Sequence, residues 1–291
     1  MYKSVFRPGL LQGQIQVVTG GGSGIGRCVA HELAVLGAHV VLVGRQSAKL
    51  AAVQAEIAAA GGSASCEVCN IRVEAEVAAL IGRIVVVHGR IHGLVNNAGG
   101  QFPSPLKDIS LKGWEAVVQT NLTGGFLMAR ECLNQSMQKQ GGAIVNIVAD
   151  MWGSMPSMGH SGAARAGMVS FTETAALEWA TYGVRVNAVA PGYIASSGMD
   201  SYPPEMRPVI RGMPKAVPLQ RFGNEAEVAA AIVFLLSPAA SFITGTTLRI
   251  DGGRPNGRVG MPMPPVLNPV PAFDGFHLAA EPKVLSSKGD D

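Results

Sequence analysis

Residues 14–26 read Gln14-Ile15-Gln16-Val17-Val18-Thr19-Gly20-Gly21-Gly22-Ser23-Gly24-Ile25-Gly26, QIQVVTGGGSGIG, and this stretch decides the fold. A short apolar run over 14–20 predicts a strand that ends in glycines, and residues 25–36 follow with a helical pattern. Glycines at such a junction let the backbone turn tightly and approach a ligand closely. The helix start adds unpaired N–H groups and a positive dipole end, which together suit a phosphate. Many loops are glycine-rich; a run set between the first strand and the first helix marks a dinucleotide-phosphate turn. Gly20, Ser23, Gly24, Ile25 and Gly26 are the candidate contacts.

The pattern continues outward from this turn. Residues 39–44 (HVVLVG) predict a second strand and 48–60 a second helix. Further strands are expected at 63–69, 93–96, 143–148, 184–190 and 247–251, with helical patterns between most of them. Near-continuous Val/Ile runs suit strands buried on both faces, so the expected fold is a single α/β, doubly wound Rossmann-type domain with a parallel sheet. Of the 291 residues, 47% are hydrophobic and 15% charged, enough for a sizeable core. The domain is expected to span 1–253. A Pro/Gly-rich extension follows over 254–291, in which Val266, Leu267, Val270 and Phe273 argue for an ordered role.

Several classes are excluded or disfavoured. The net charge of +3, with no long Lys/Arg run, gives no footprint for nucleic acid. No apolar run is long enough to span a bilayer, and the first residues lack the apolar core of a signal peptide, so a cytoplasmic protein is expected. Cys66 and Cys69 lack two further ligands at zinc spacing; they read as small side chains on one short strand, and no metal is expected. At the end of the second strand, Val43-Gly44-Arg45 carries no acid to bind a ribose 2′-hydroxyl. Arg45 either pairs with a 2′-phosphate or is a solvated loop residue, and NADP(H) is the expected cofactor.

Thr19-Gly20 with Gly24-Ile25-Gly26, Asn96-Asn97-Ala98-Gly99, Thr120-Asn121, the helix from Ser161 and Ala190-Pro191-Gly192 follow one another at a characteristic order and spacing. In these motifs the sequence resembles the short-chain dehydrogenases/reductases over roughly its first 253 residues. Gly99-Gly100-Gln101-Phe102, the segment His160-Ser161-Gly162-Ala163-Ala164-Arg165-Ala166-Gly167 and the run from Leu236 to Gly245 look like the peroxisomal trans-2-enoyl-CoA reductase group. That group reduces the C2=C3 bond of acyl-CoA thioesters with NADPH. The chain ends Lys288-Gly289-Asp290-Asp291, without the peroxisomal tripeptide. The resemblance implies that Asn70 lies near the adenine, that Asn97, Ala98 and Gly99 line the ribose region, and that Pro191, Gly192 and Ile194 face the nicotinamide. It also implies a homodimer or homotetramer built through long helices at roughly 114–137 and 161–182.

Most of that family pairs a Tyr with a Lys four residues on. Here Ser161 and Arg165 stand at those positions, Ala149 or Asp150 stands at the family's Ser, and Asn121 alone matches. Arg165 shares a helix face with Ser161 and can donate to ribose hydroxyls, but it cannot relay a proton near neutrality. Enoyl reduction needs donors for a developing enolate oxygen rather than a strong acid, so Ser161 with a water is the expected stabiliser. Asp150 and His160 are the titratable candidates for proton delivery, each with an ordinary solvated or capping role as the alternative. Met151, Met155, Met158, Met199, Met206 and Met213 suit an acyl chain or simply fill gaps. Arg207, Arg211 and Lys215 face either CoA phosphates or solvent, and Tyr193 follows the Pro-Gly pair closely enough to reach the site. The expected activity is NADPH-dependent reduction of a trans-2-enoyl-CoA. A carbonyl or alcohol oxidoreductase and a non-catalytic NADP-binding protein are the alternatives.

Overall fold

The computed structural model describes residues 1–254 and 266–286. The order of elements opens with β1 (Ile15–Thr19), α1 (Gly24–Val35), β2 (His39–Gly44), α2 (Ser47–Ala59), β3 (Ser63–Val68), α3 (Glu74–His88) and β4 (Gly93–Asn96). A long helical run follows as α4 (Leu111–Val118), α5 (Gly124–Cys132) and α6 (Gln138–Gln140), joined through two π turns, Gln119–Thr123 and Leu133–Met137. Then come β5 (Gly142–Ile147), α7 (Gly159–Trp179), β6 (Val184–Pro191), β7 (Ile194–Ala195), α8 (Arg207–Gly212), β8 (Gly223–Asn224), α9 (Glu225–Leu236) and β9 (Thr247–Ile250).

Seven parallel strands form one sheet in the order β3-β2-β1-β4-β5-β6-β9. Strand side chains alternate between the two faces with a period of two. Val18, Val40, Leu42 and Val145 point into one core with α1, α2 and α9, while Val17, Val41, Val43 and Ile144 point into another with α3, α5 and α7. Both faces are therefore apolar, and the central strands read as unbroken hydrophobic runs. The doubly wound class expected from the sequence is the architecture observed. Strand order reverses between β1 and β4, which opens a crevice at their carboxyl ends.

Polar side chains fasten the crevice from below. Asn96 and Asn146 stand opposite each other at the ends of β4 and β5, and Asn96 Nδ2 donates to Asn146 Oδ1 at 2.9 Å. Asn146 Nδ2 in turn donates to Thr172 on α7 at 2.9 Å. All three are buried, so leaving any one unpaired would carry a desolvation penalty.

The Pro/Gly-rich residues 255–265 lie outside the described residues. Beyond them the chain returns to the body, through only part of the apolar set the sequence singled out. Leu267 is 84% and Val270 53% exposed, whereas Phe273 is half-buried against the core and its carbonyl accepts from Asn224 Nδ2 at 3.0 Å. Phe276 and Val284 are the buried anchors. Phe276 packs on Tyr2 and His31 with ring centroids 5.8 and 5.2 Å apart, and the Lys3 N–H donates to the Gly275 carbonyl at 2.8 Å. Val284 sits among Met199, Ile210 and Met213.

Candidate active site

A cavity of about 1020 Å³ occupies the crevice, reaching from the glycine turn to the segment between β7 and β8. Of the candidate cofactor contacts, Gly20, Ser23, Gly24, Ile25, Arg45, Asn70, Asn97, Ala98, Gly99, Arg165, Pro191, Gly192 and Ile194 line it. Gly26 does not. A Cβ there would stand 2.4 Å from both the Gly20 carbonyl oxygen and Asn97 Nδ2, so this glycine lets α1 press against the turn rather than face a ligand. Gly20 adopts φ +66°, in the left-handed region that glycine tolerates. Asn97 Nδ2 donates to the Thr19 carbonyl at 2.8 Å, and Thr19 Oγ1 accepts from the N–H groups of Asn97 and Ala98, stitching β1 to β4 under the turn.

Charge in the cavity is strongly one-sided. Arg45, Lys49, Arg72, Arg165 and Arg254 line it, and among the described lining residues Asp150 is the only acid. Arg45 is exposed and has neither an ion pair nor a hydrogen bond among the described residues, whereas Arg72 is turned onto Asn70 Oδ1 at 3.2 Å. The glycine cradle and this cationic lining fit a dinucleotide phosphate.

At the other end, Arg165 Nη1 donates to the Ile147 carbonyl and its Nε is buried without a partner among the described residues. Burial draws the guanidinium down to about 10, which leaves it charged at neutral pH. Its Nη2 lies against Gly99, where a Cβ would come within 2.5 Å. Asp150 lines the cavity, but its Oδ2 is paired with Arg254 at 2.6 Å, and Arg254 lies over the Tyr193 ring at 4.8 Å.

Asn121 sits on the first π turn, buried, and holds Gly100 from both sides: its Oδ1 accepts from the Gly100 N–H and its Nδ2 donates to the Gly100 carbonyl, each at 2.9 Å. His160 and Ser161 are fully buried and are not among the residues lining the cavity. The His160 ring meets Phe102 edge-on at 4.4 Å, and its Nδ1 accepts from the Ser161 N–H.

Residues 20–254 match the family described as enoyl-(acyl carrier protein) reductase. The chain belongs to the short-chain dehydrogenase/reductase family. It is 60% identical to the solved structure of a citronellol catabolism dehydrogenase (AtuB) of Pseudomonas aeruginosa PAO1, with a TM-score of 0.79, covering 87% of this chain and 99% of that one. It is 41% identical over 247 residues to a 3-oxoacyl-[acyl-carrier-protein] reductase of Synechocystis, covering 84% of this chain and 97% of that protein. It is 37% identical over 241 residues to a "Probable 2,4-dienoyl-CoA reductase" of Bacillus subtilis, covering 82% and 95%.

For a short-chain dehydrogenase/reductase, the reacting end is unusual. The hydroxyl at the helix position of the family's tyrosine is engaged by a neighbouring side chain: Ser161 Oγ donates to Gln101 Oε1 at 2.8 Å. Gln101 does line the cavity, and its Nε2 donates to the Tyr202 hydroxyl at 2.7 Å. Sequence reasoning missed both residues. Gln101 lay in a quoted motif without a role, and Tyr202 carried no signal beyond its place in the segment after Pro191-Gly192. Five of the six methionines singled out, all but Met151, line the cavity. Arg211 is taken up elsewhere, its Nε donating to the Val284 carbonyl at 3.0 Å. Cys66 and Cys69 are free thiols whose pKa values burial pushes up, Cys69 to about 11, so neither is poised as a thiolate. Among the described residues no three His, Cys, Asp or Glu side chains group as metal ligands, and no helix is long and apolar enough to cross a membrane.

Proposed function

We propose that this oxidoreductase reduces the C2=C3 double bond of trans-2-enoyl-CoA thioesters with NADPH. The observation that carries the proposal is the reacting end itself. No tyrosine or lysine stands at helix positions 161 and 165, while a fixed cation, Arg165, lines a cavity whose far end is walled by Met155, Met199, Met206 and Met213. Flexible, polarisable methionines suit an acyl chain. Similarity to the probable 2,4-dienoyl-CoA reductase of Bacillus subtilis supports a thioester with a conjugated double bond.

Bound NADPH supplies the hydride. The residues of this chain that would hold it are the glycine turn, Asn70, Asn97, Ala98, Gly99, Pro191, Gly192 and Ile194, with Arg45 at the 2′-phosphate and Arg165 at the ribose. The substrate gains a hydride at C3 and a proton at C2, and its C–S bond stays intact. Charge passes through the thioester oxygen on the way, so the site needs a hydrogen-bond donor there more than a strong acid. Asp150 is held by Arg254 and His160 is walled off, which leaves solvent or another hydroxyl as the proton source. In this proposal residues 1–253 carry the chemistry and 254–291 form an extension, with Arg254 at their junction bracing Asp150. A homodimer or homotetramer through the long helices, in the cytoplasm, completes the picture; Leu177 on α7 is 82% exposed in the single chain.

A second function, oxidation of an alcohol or reduction of a ketone, is favoured by the 60% identical dehydrogenase of citronellol catabolism and by the 3-oxoacyl reductase relative. One experiment separates the two. The protein is mixed with NADPH and straight and methyl-branched trans-2-enoyl-CoAs, and in parallel with a 3-oxoacyl-CoA, or with NADP⁺ and citronellol; products are identified by mass spectrometry. The expected product is a saturated acyl-CoA. Turnover confined to the oxo or alcohol substrates would select the second function, and cofactor binding without any product would select a non-catalytic protein.

A further inference from the structure

Two hydrogen bonds meet on the Gln101 side chain at the cavity wall, and two more fix the residue before it. Asn121 clamps both backbone polar groups of Gly100, which fixes the start of Gln101. Ser161 Oγ donates to Gln101 Oε1, and Gln101 Nε2 donates to the Tyr202 hydroxyl. Tyr202 lines the cavity and rests on the apolar cluster of Met199, Ile210 and Val284. The polarity of this chain matters. The Ser161 proton is spent on Gln101, so Ser161 has none to offer a substrate. The oxygen of Tyr202 accepts from Gln101, so its own O–H remains available to donate.

We propose that Tyr202, carried on the segment after β7, is the catalytic hydroxyl of this enzyme, donating to the thioester oxygen of the substrate, with Gln101 and Ser161 as its positioning residues. The assignment rests on the enoyl-thioester function above. A tyrosine is thereby restored to the site from a different part of the chain, and the serine at the helix position aims it. As the hydride arrives at C3 the thioester oxygen becomes an enolate oxygen, and the Tyr202 O–H stabilises it. The proton passes to the enolate, the C2–H bond forms, and Tyr202 recovers its proton from water. Atoms and charge balance as hydride plus proton added across C2=C3, with NADPH oxidised to NADP⁺.

The test uses the whole chain and two readouts. In the first, a trans-2-enoyl-CoA is bound to the NADP⁺ form, which cannot deliver hydride, and the ultraviolet band of the conjugated thioester is recorded. A hydrogen bond to the thioester oxygen polarises the conjugated system and moves this band to longer wavelength. The shift is expected in the wild type and in Ser161→Ala only weakly, and it is expected to vanish in Tyr202→Phe, which keeps the apolar packing. In the second, kcat in Tyr202→Phe is expected to fall about a hundredfold or more, with KM and NADPH affinity within a few-fold of wild type. Gln101→Glu, whose carboxylate accepts from both hydroxyls and so draws the Tyr202 proton out of the cavity, is expected to lose kcat as Tyr202→Phe does at an unchanged thermal midpoint. If Tyr202 is only a latch for the segment between β7 and β8, which walls one end of the cavity as a lid, Tyr202→Phe raises KM and leaves the band in place, which overturns the proposal. A thioester that binds the wild type with no band shift overturns it too. A protein that binds no thioester at all overturns the enoyl function and this assignment together.

Discussion

Two residues at the cofactor end carry opposite kinds of argument. Arg45 is a charge with no partner among the described residues at the rim of a cationic cavity, and a bond from it to a 2′-phosphate would be charge-assisted, worth about 1.5–3 kcal/mol. Arg45→Ala is therefore expected to weaken NADPH binding about tenfold or more while leaving NADH unchanged, measured by titrating nicotinamide fluorescence. An unaltered ratio would move the role to Lys49 or Arg72. Gly26 acts by what it lacks. Its missing Cβ would collide with the Gly20 carbonyl oxygen and Asn97 Nδ2, and Asn97 is pinned to Thr19. Gly26→Ala is expected to cost about 1–3 kcal/mol, as overpacking does, and to weaken NADPH binding by displacing the turn. Urea unfolding and the same titration check both halves, and a variant as stable as wild type would show that the turn yields freely.

Among the elements, those that bury a hydrophobic run were legible in the sequence. β2 and β4 have the boundaries expected, and β1, β3, β5, β6 and β9 differ from expectation by one or two residues. Period and glycine punctuation suffice there because both faces of each central strand are apolar. The glycine-turn end of the cavity was legible for a related reason: Gly20, Asn97, Gly99, Pro191 and Gly192 stand at or just beyond strand ends, and strand ends form the crevice. The reacting half was not. β7 and β8 are two residues each, too short for any period to show. Gln101 and Tyr202 are 101 positions apart, and their bond exists only once the lid is laid over the sheet. The direction of the Ser161 hydroxyl is likewise a tertiary fact, invisible in the helix pattern. The lid also has a support that no motif announced: Val284 packs under it, the Val284 N–H donates to Asp200 Oδ1 at 3.2 Å, and Arg211 holds the Val284 carbonyl. Val284→Ala removes about 1–2 kcal/mol of local burial. Amide exchange across 197–216 is expected to quicken by about tenfold, with KM for the thioester raised and the global thermal midpoint little moved. Exchange at the wild-type rate would show that the lid stands without the tail.

At the scale of the whole molecule, the buried acid Glu32 on α1 makes stability depend on pH. Its carboxylate accepts from Tyr2 at 3.1 Å and Ser4 at 2.9 Å, yet burial dominates and raises it from 4.5 to about 7. Between those values the folded protein keeps a proton that the unfolded chain releases. Stability therefore falls as pH rises through that window and levels off above it, by at most about 3 kcal/mol from this group. Histidines 31, 39 and 92, lowered chiefly by burial, act in the opposite sense, losing stability as pH falls. The comparison that isolates Glu32 is Glu32→Gln against wild type. Its relative stability in urea is expected to improve from pH 5 to pH 8, and a constant difference would mean that the carboxyl titrates normally.

Phe276 and Tyr2 meet over α1, and Lys3 is hydrogen-bonded to Gly275, so a single clasp joins segments more than 270 positions apart. On a ribosome, residue 3 is joined more than 270 additions before residue 275. The strand–turn–helix unit that begins the sheet leaves the exit tunnel early, and the outer face of α1 around His31 stays wet until residue 276 has emerged. The nucleotide-binding half is thus obliged to fold with one flank open. Through that interval the flank's cover is chain not yet made, so it is sealed by closure of a very long loop rather than by local folding.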